Sequence, residues 1–101
     1  MDVLVHIKRL IIGRHFQFSL KALDELDADG LEPQDALEAV LNARSIKKVL
    51  RSPRPGHPGK AERLYVIEGI DYSGRTLYTK GKIVRRAGEE VFYFYISAKV
   101  S

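Results

Sequence analysis

The spacing of apolar residues changes partway along the chain, and this change constrains the fold more than any other feature. Up to about residue 43, apolar side chains recur every three or four positions, as on one face of an amphipathic helix. From there onward the helical spacing is lost: the last two strand-like segments alternate apolar and polar side chains, as in strands with one buried face, whereas "ERLYVIEG" shows little alternation, as in a strand covered on both faces. Helices followed by strands predict an α+β fold, with N-terminal helices packed on one face of a C-terminal antiparallel β-sheet of three to four strands.

Three segments of the first half have helical spacing and recognisable ends. Gly13 follows the first segment, Ser19 is a suitable N-cap for the second, and Pro33 stands in the first turn of the third. The stripes that we expect to be buried are Leu4, Ile7 and Ile11, then Leu20, Leu23 and Leu26, then Leu37, Val40 and Leu41. The piece "HFQF" between the first two segments is predicted to be short and extended.

The second half divides into strand-like segments separated by turn-forming residues. The segments are "SIKKVLR", "ERLYVIEG", "RTLYTKGKIVRR" and "VFYFYISAKV". Between them, "SPRPGHPGKA" is predicted to be a loop, and "DYSG" and "AGEE" are predicted to be turns. Alternation in the last segment predicts one face packed on the helices and one face turned away: Phe92, Phe94, Ile96 and Ala98 on the first, and Tyr93, Tyr95, Ser97 and Lys99 on the second.

Lysine and tyrosine side chains gather on the predicted outer face of the sheet. The third strand places Thr76, Tyr78, Lys80 and Lys82 on one parity, and the last strand adds Tyr93, Tyr95 and Lys99. Lysines neutralise phosphates and tyrosines stack on unpaired bases, so this combination favours RNA as the ligand. Two structural explanations stand beside it, because tyrosine packs well in strands and exposed lysines protect strand edges.

The first strand-like segment adds Lys47, Lys48 and Arg51 as candidate RNA contacts. On a strand, Lys47 and Arg51 share one face, whereas Lys48 lies on the other face with Leu50. The position of Lys48 on an apolar side indicates either a lysine that reaches out to solvent from the strand edge or a specific role.

Charge is distributed unevenly along the 101 residues, whose net charge is +4. Residues 1–43 contain 4 basic and 8 acidic side chains, a balance of −4, whereas residues 44–101 contain 13 and 5, a balance of +8. A basic half of this kind is suited to attract nucleic acid.

Several other classes of protein are disfavoured by composition. The chain has no cysteine for disulfides or thiolate chemistry, and its three histidines lack the spacing of metal ligands, so no metal or cofactor is predicted. No apolar run approaches the roughly 20 residues of a membrane helix, and the N-terminal charge order is not that of an export signal. We therefore expect a single cytoplasmic domain spanning residues 1–101, with no membrane partner.

Five pieces of the sequence carry a resemblance to a known family: "VHIKRLI", "FSLKALDEL", "GLEPQDALEAVLNARSIKKVLRS", "LYTKGKI" and "FYISAK". In their order the chain resembles the motility quorum-sensing regulator toxins and a related group of small bacterial domains grouped with BrnT. Both belong to the RelE-like ribonuclease toxin superfamily. The resemblance covers nearly the whole chain as an order of elements, and it implies a RelE-like domain.

The resemblance also implies an activity and a site. In those toxins a sheet face bearing lysine, glutamine and tyrosine cuts single-stranded RNA, usually mRNA. Carried over, the terminal lysine falls on Lys99, the strand tyrosine on Tyr78 and the earlier lysine on Lys48. The glutamine has no counterpart, because "ERLYVIEG" holds Tyr65 and Glu68 in that region.

The expected function is therefore a metal-independent endoribonuclease toxin that an antitoxin protein holds silent. A 2′-hydroxyl would attack the adjacent phosphate, with Tyr78 as general acid or base and with Lys99 and Lys48 stabilising the phosphorane. Lys80 and Lys82 would hold flanking phosphates. The alternative is a non-catalytic module of the same fold that binds nucleic acid or protein, and a neutralising antitoxin is a third interpretation.

Overall fold

The computed structural model describes residues 2–53, 59, 61–86 and 91–101, and these residues form three α-helices and one five-stranded sheet. The elements are α1 (Val3–Ile12), β1 (Phe16–Phe18), α2 (Leu20–Ala28), α3 (Pro33–Asn42), β2 (Lys48–Pro53), β3 (Ala61–Ile70), β4 (Thr76–Arg85) and β5 (Val91–Val100). The predicted α+β class is confirmed. Residues 54–58 and 60 of the predicted loop, and the predicted "AGEE" turn, lie outside the described residues. Among the described helices, none has the length and apolar character needed to cross a bilayer.

The helices begin where local chemistry predicts, but at the end of α1 the left-handed conformation is adopted by Arg14, with a φ of 64°, and not by Gly13. Asp2 Oδ1 accepts a hydrogen bond from the Leu4 amide at 2.8 Å, and Ser19 Oγ accepts one from the Ala22 amide at 3.0 Å. Pro33 stands in the first turn of α3. The predicted apolar stripe of α1 is buried, and it consists of Leu4, Ile7 and Ile11. In α3, Val40 is buried, whereas Leu37 and Leu41 are partly buried.

The sheet differs from the prediction in strand number and direction. Its order is β1–β5–β4–β3–β2, with β1 parallel to β5 and the other neighbours antiparallel. An antiparallel sheet of three to four strands was therefore the wrong expectation. The fifth strand comes from "HFQF", where the Tyr93 amide bonds the His15 carbonyl and the Ser19 amide bonds the Tyr95 carbonyl, both at 2.9 Å. Three residues are too few to show a strand period in sequence.

The packing of α2 also departs from the predicted apolar stripe. Leu26 is buried, but Leu20 is 80% exposed and Leu23 is 37% exposed. The helix lies along the edge of β5 beyond the end of β1, and it turns a polar side toward the strand backbone. The predicted inward stripe is therefore wrong for its first turn.

Side chains of α2 satisfy backbone groups along that edge of β5. Glu25 Oε1 accepts a hydrogen bond from the Ala98 amide at 3.3 Å, and Asp29 Oδ2 accepts one from the Val100 amide at 2.8 Å. Ser19 Oγ, which caps the helix, donates to the Ile96 carbonyl at 2.9 Å. A helix thus supplies the hydrogen bonds that a further strand would otherwise provide.

A bulge in β5 decides which of its side chains meet the helices. Lys80 of β4 pairs with Ser97, but the next residue, Gly81, pairs with Tyr95, so Ile96 is one residue extra on β5. The extra residue reverses the alternation of faces at that point. Before it, odd-numbered residues face the helices, and after it Ala98 does so.

The bulge overturns part of the predicted RNA-binding surface. Tyr93 and Tyr95 are fully buried in the core beneath the helices and cannot contact a ligand on the outer face. Phe94 and Ile96, predicted to be core residues, are only partly buried. Phe92 is buried on the outer face, where the Arg86 guanidinium lies 4.9 Å from its ring centroid. Simple alternation over ten residues cannot reveal an inserted one.

The two buried tyrosines have different hydrogen-bonding states. The Tyr95 hydroxyl donates to the Ala36 carbonyl of α3 at 2.8 Å, and its ring stacks on Phe18 with centroids 4.4 Å apart. The Tyr93 hydroxyl has no hydrogen-bond partner among the described residues. Its ring lies over Gly81, where a Cβ would overlap the ring, so glycine is required at that position of β4.

Removing each hydroxyl in turn tests whether the bonded and the unbonded tyrosine contribute differently to stability. Tyr95→Phe is expected to lower the free energy of unfolding by about 1 kcal/mol, because the bond to α3 is lost. Tyr93→Phe is the matched control, and we expect it to leave stability unchanged or to raise it, since its hydroxyl is buried without a partner. Urea denaturation of both variants measures the difference. Equal losses of unfolding free energy in the two variants would contradict the hydrogen bond assigned to Tyr95 and the unpartnered hydroxyl assigned to Tyr93.

Candidate functional site

The sheet face opposite the helices, here called the open face, carries the even-numbered residues of β2, β3 and β4. Two neighbouring rows of cross-strand partners cross its centre: Lys48, Val66, Lys80 and Ser97 form the first, and Glu68, Tyr78 and Lys99 form the second. Cross-strand partners have Cβ atoms about 4.5–5.5 Å apart. The two rows therefore bring three lysines and one tyrosine within reach of a single ligand.

A tight turn fixes the position of Tyr78 in the second row. Asp71 is buried, and its Oδ1 accepts hydrogen bonds from the Ser73 amide at 3.0 Å and the Arg75 amide at 2.8 Å. Gly74 takes a φ of 85°, which a side chain would disfavour. The turn holds β3 and β4 in the register that places Tyr78 opposite Glu68. The predicted "DYSG" turn is confirmed.

Lys48 is positioned by the edge strand β2. It pairs with Val66, while its neighbour Leu50 pairs with Leu64, so both side chains lie on the open face. The same strand places Val49 on the helix side, where it is half exposed. Leu50, the apolar residue that the sequence alternation placed on the same side as Lys48, therefore lies beside it on the open face.

A shallow cavity of about 280 Å³ opens between β2 and Tyr78. It is lined by Lys47, Lys48, Leu50, Val66, Glu68 and Tyr78. Val66 forms an almost fully buried part of its floor. The cavity combines an apolar base with a charged rim, which is the usual character of a site that orients a small planar group.

Lys99 approaches Tyr78 from the side away from the cavity. Its Nζ lies 5.5 Å from the Tyr78 ring centroid, within the range of a cation–π contact. The same Nζ lies 4.0 Å from Glu25 Oε2, and half of the Lys99 side chain is exposed. A contact of this kind at an exposed site contributes on the order of 0.5–1 kcal/mol, so it orients Lys99 weakly and leaves it able to meet a ligand.

Three of the basic side chains on or beside the open face have acidic partners. Lys47 Nζ lies 2.5 Å from Glu68 Oε1, and Lys82 Nζ lies 3.2 Å from Glu62 Oε2, in addition to the Lys99 contact with Glu25. Lys48 and Lys80 make no ion pair within the described part of the chain. The positive potential of the face is therefore concentrated on the first row.

Glu68 is held ionised by its neighbours. A hydrogen bond from Lys47 holds the pKa of its carboxyl below the usual range, and Ser101 Oγ adds a bond to Oε2 at 3.1 Å. Burial acts in the opposite direction and is outweighed. An acceptor with a fixed orientation thus stands beside the Tyr78 ring.

The structure brings together most of the predicted site, places Lys47 at its edge and excludes the other three candidates. Lys48, Tyr78, Lys80, Lys82 and Lys99 share the open face. Four further residues were predicted as RNA contacts. Tyr93 and Tyr95 are buried in the core, and Arg51 pairs with Arg63 on the helix side of the sheet. Lys47 precedes β2, and its side chain reaches Glu68 instead of following the strand alternation.

Sequence reasoning missed the apolar floor of the cavity and the placement of Glu68. Counting back from the "DYSG" turn would have located the carboxylate, because a hairpin pairing Ile70 with Thr76 must pair Glu68 with Tyr78. The contact with Ser101 depends on the last strand and gives no local signal.

Two further searches, for a cluster of metal ligands among the described residues and for similar proteins, gave no result. Among residues 2–53, 59, 61–86 and 91–101, no three His, Cys, Asp or Glu side chains cluster as a metal site would require. Comparison with protein-family models, with curated proteins and with solved structures found no match.

Glu25 of α2, the partner of Lys99, makes the stability of the fold depend on pH. Burial opposes its ionisation, but bonds from Ser97 and the Ala98 amide, aided by Lys21 and Lys99, hold its pKa below the ordinary 4.5. Its stabilising contribution is therefore complete above that ordinary pKa and is lost as pH falls through the lower folded value.

Glu25→Gln should have a lower free energy of unfolding than wild type at neutral pH. This difference in unfolding free energy, the gap, should narrow below about pH 4.5 as the wild-type carboxylate takes up its proton. Urea denaturation over a pH series measures the gap. Asp24→Asn, a change at the exposed neighbouring carboxylate of α2, is the control and should show little gap at any pH. A Glu25→Gln gap that does not vary with pH would contradict this assignment.

Proposed function

We propose that the open face binds single-stranded RNA and cleaves it without a metal ion, as a RelE-like endoribonuclease toxin. The observation that carries the proposal is the convergence of Tyr78 with Lys48, Lys80 and Lys99 in two adjacent rows. Lysine ammonium groups meet phosphates, and a partly exposed phenol ring beside an apolar cavity suits a base. The partly exposed position of all four residues is compatible with a ligand approaching from solvent.

The chemistry would be transfer of the phosphate to the adjacent 2′-oxygen. A new bond forms between the 2′-oxygen and phosphorus, and the bond from phosphorus to the 5′-oxygen breaks. The products are a 2′,3′-cyclic phosphate and a free 5′-hydroxyl. One proton must leave the 2′-hydroxyl and one must reach the 5′-oxygen, and the Tyr78 hydroxyl would transfer one of them.

The two lysines that flank Tyr78 would stabilise the negative charge that develops on the non-bridging oxygens of the phosphorane. Lys99 lies against one side of the ring, and Lys48 shares the cavity on the other side. Lys80 lies in the first row between them and would hold a flanking phosphate. Lys82, predicted for the same role, is engaged by Glu62 and would contribute only once that exposed pair opens.

The resemblance of the sequence to the toxins supports the biological setting of this proposal. On that basis the RNA would be mRNA in the cytoplasm, and a separate antitoxin protein would cover the open face to keep the toxin silent. Induced expression without that antitoxin should stop growth and fragment RNA together.

One observation favours a second function, namely binding without cleavage. The ion pairs of Lys47, Lys82 and Lys99 neutralise part of the face, and the fixed carboxylate of Glu68 beside Tyr78 repels a phosphate placed directly against it. A module that binds RNA or protein on this face would need Lys48 and Lys80 but no proton transfer by Tyr78.

Tyr78→Phe distinguishes cleavage from binding, because it keeps the ring and removes only the hydroxyl. Cleavage of labelled single-stranded RNA by the purified protein should fall by about 10²–10⁴-fold, the usual contribution of one positioned acid or base, while RNA affinity stays within about twofold. Tyr72→Phe is the matched control, since that ring is exposed on the hairpin turn and should have no effect. Lys99→Ala should impair cleavage strongly and binding mildly, and chelator should change neither.

Two results would count against catalysis by this site. Equal cleavage by wild type and Tyr78→Phe would assign the activity to another site or a contaminant. RNA binding with no cleavage of any RNA would establish the second function.

RNA affinity should depend steeply on salt, because lysines on the face release counterions from phosphates. Lys48→Ala and Lys80→Ala should each reduce the slope of log affinity against log salt by about 0.7, the value for one phosphate contact on a single strand. Arg9→Ala, which removes an exposed arginine of α1 on the helix side of the sheet, should leave the slope unchanged. Fluorescence anisotropy with a labelled oligonucleotide measures the slopes, and no detectable binding at about 50 mM salt would refute an RNA-binding face.

A further inference from the structure

Glu68 is an acid at the centre of a face whose other charges are mostly basic, and its carboxylate is fixed on both sides. Oε1 accepts from Lys47 at 2.5 Å, and Oε2 accepts from Ser101 at 3.1 Å. Each carboxylate oxygen can accept a second hydrogen bond, so the pair remains able to receive two donors. About a quarter of the side chain is exposed, which leaves these positions accessible.

The cavity beside Glu68 has the shape and lining of a seat for a nucleobase. Leu50 and Val66 form its apolar floor, and Tyr78 of β4, directly opposite Glu68 of β3, forms one wall. Its volume of about 280 Å³ is at the lower end of small-molecule sites. A flat aromatic ring on this floor would gain apolar contact and contact with the tyrosine ring while its edge faces the carboxylate.

Hydrogen-bond chemistry selects among the four bases at such a carboxylate. An ionised carboxylate only accepts, so it needs two adjacent donors on the base edge. Guanine offers N1–H beside its N2 amino group. Adenine and cytosine each place a ring nitrogen acceptor beside their amino group, and uracil flanks its single N–H with two carbonyl oxygens, so these three edges meet the carboxylate with at least one repulsive contact.

We infer that Glu68 is a specificity-determining residue that receives a guanine base on the floor formed by Leu50 and Val66. The inference rests on the proposed function of the open face as an RNA-binding surface, and it names the base that surface selects. It also gives the acid a role beside a phosphate site: Lys48 at the cavity rim meets a backbone phosphate, while the carboxylate, held by Lys47, meets the base edge.

The test uses two probes that differ only in the base. The first is a titration of the ¹⁵N-labelled full chain with 5′-GMP and with 5′-AMP, in which phosphate and sugar are identical. The second is anisotropy with a labelled oligouridylate that carries one central guanosine, adenosine or inosine, with a 2′-deoxy sugar at that nucleotide. Inosine keeps N1–H and lacks the amino group, so it isolates one of the two donors.

Glu68→Gln changes one acceptor to a donor with little change in shape. Glu62→Gln is the matched control, because Glu62 is also a carboxylate paired with a lysine on the open face but lies away from this cavity. In wild type, the guanosine oligonucleotide should bind about tenfold more tightly than the adenosine one, with inosine between them. Glu68→Gln should abolish this preference, and Glu62→Gln should retain it. 5′-GMP, and not 5′-AMP, should shift the amides of Val66 and Tyr78.

Each remaining outcome contradicts a distinct statement. Salt-dependent RNA binding with no preference for guanosine, or with a preference that survives Glu68→Gln, would overturn the guanine assignment and leave the RNA-binding proposal standing. Selective shifts with 5′-GMP but no binding of any oligonucleotide would overturn the proposed function and keep the base seat. No response to either probe would overturn both.

Discussion

One inserted residue, Ile96 in β5, determines the composition of both faces of the sheet. By shifting the alternation between Tyr95 and Ser97, it lets a single strand send two tyrosines into the helix-packed core and still present Lys99 beside Tyr78. Without the bulge, the strand would place either the tyrosines or the lysine on the wrong side. The core of the protein and its candidate site are therefore coupled through the backbone of one strand.

Local charge on the open face is smaller than the composition suggests. The second half of the chain has an excess of eight basic residues, yet ion pairs with glutamates engage Lys47, Lys82 and Lys99. Such exposed pairs are individually weak, and a polyanion can compete for the lysines. Their effect is on selectivity: they place acceptors among the donors, so that a ligand must satisfy both kinds of group and not merely supply negative charge.

Features set by neighbouring residues were predictable from the sequence, and features set by distant ones were not. The cap at Ser19 and the position of Pro33 in the first turn of α3 follow from local residue chemistry. The α1 stripe and the parity of Tyr78, Lys80 and Lys82 follow from local periodicity, and all of these features are found in the structure. The parallel β1 strand and the edge position of α2 arise from contacts between residues some 70 to 80 positions apart in the chain. The bulge arises from the pairing of β4 with β5, two separate strand segments. Pattern within a segment carries no information about such pairing, and this is why Tyr93 and Tyr95 were assigned to the wrong face.

The side chains of α2 that bond the β5 backbone also affect how the molecule can meet other chains. A sheet edge with unpaired backbone groups is a template to which a foreign strand can add. On β5 beyond β1, Glu25 and Asp29 already occupy two of those amides, so a strand could add there only by displacing the helix. The opposite edge, β2, carries Lys48 and ends in Pro53, two residue types that discourage strand addition. The part of the β5 edge beyond β1 and the β2 edge therefore both carry features that discourage the addition of a foreign strand.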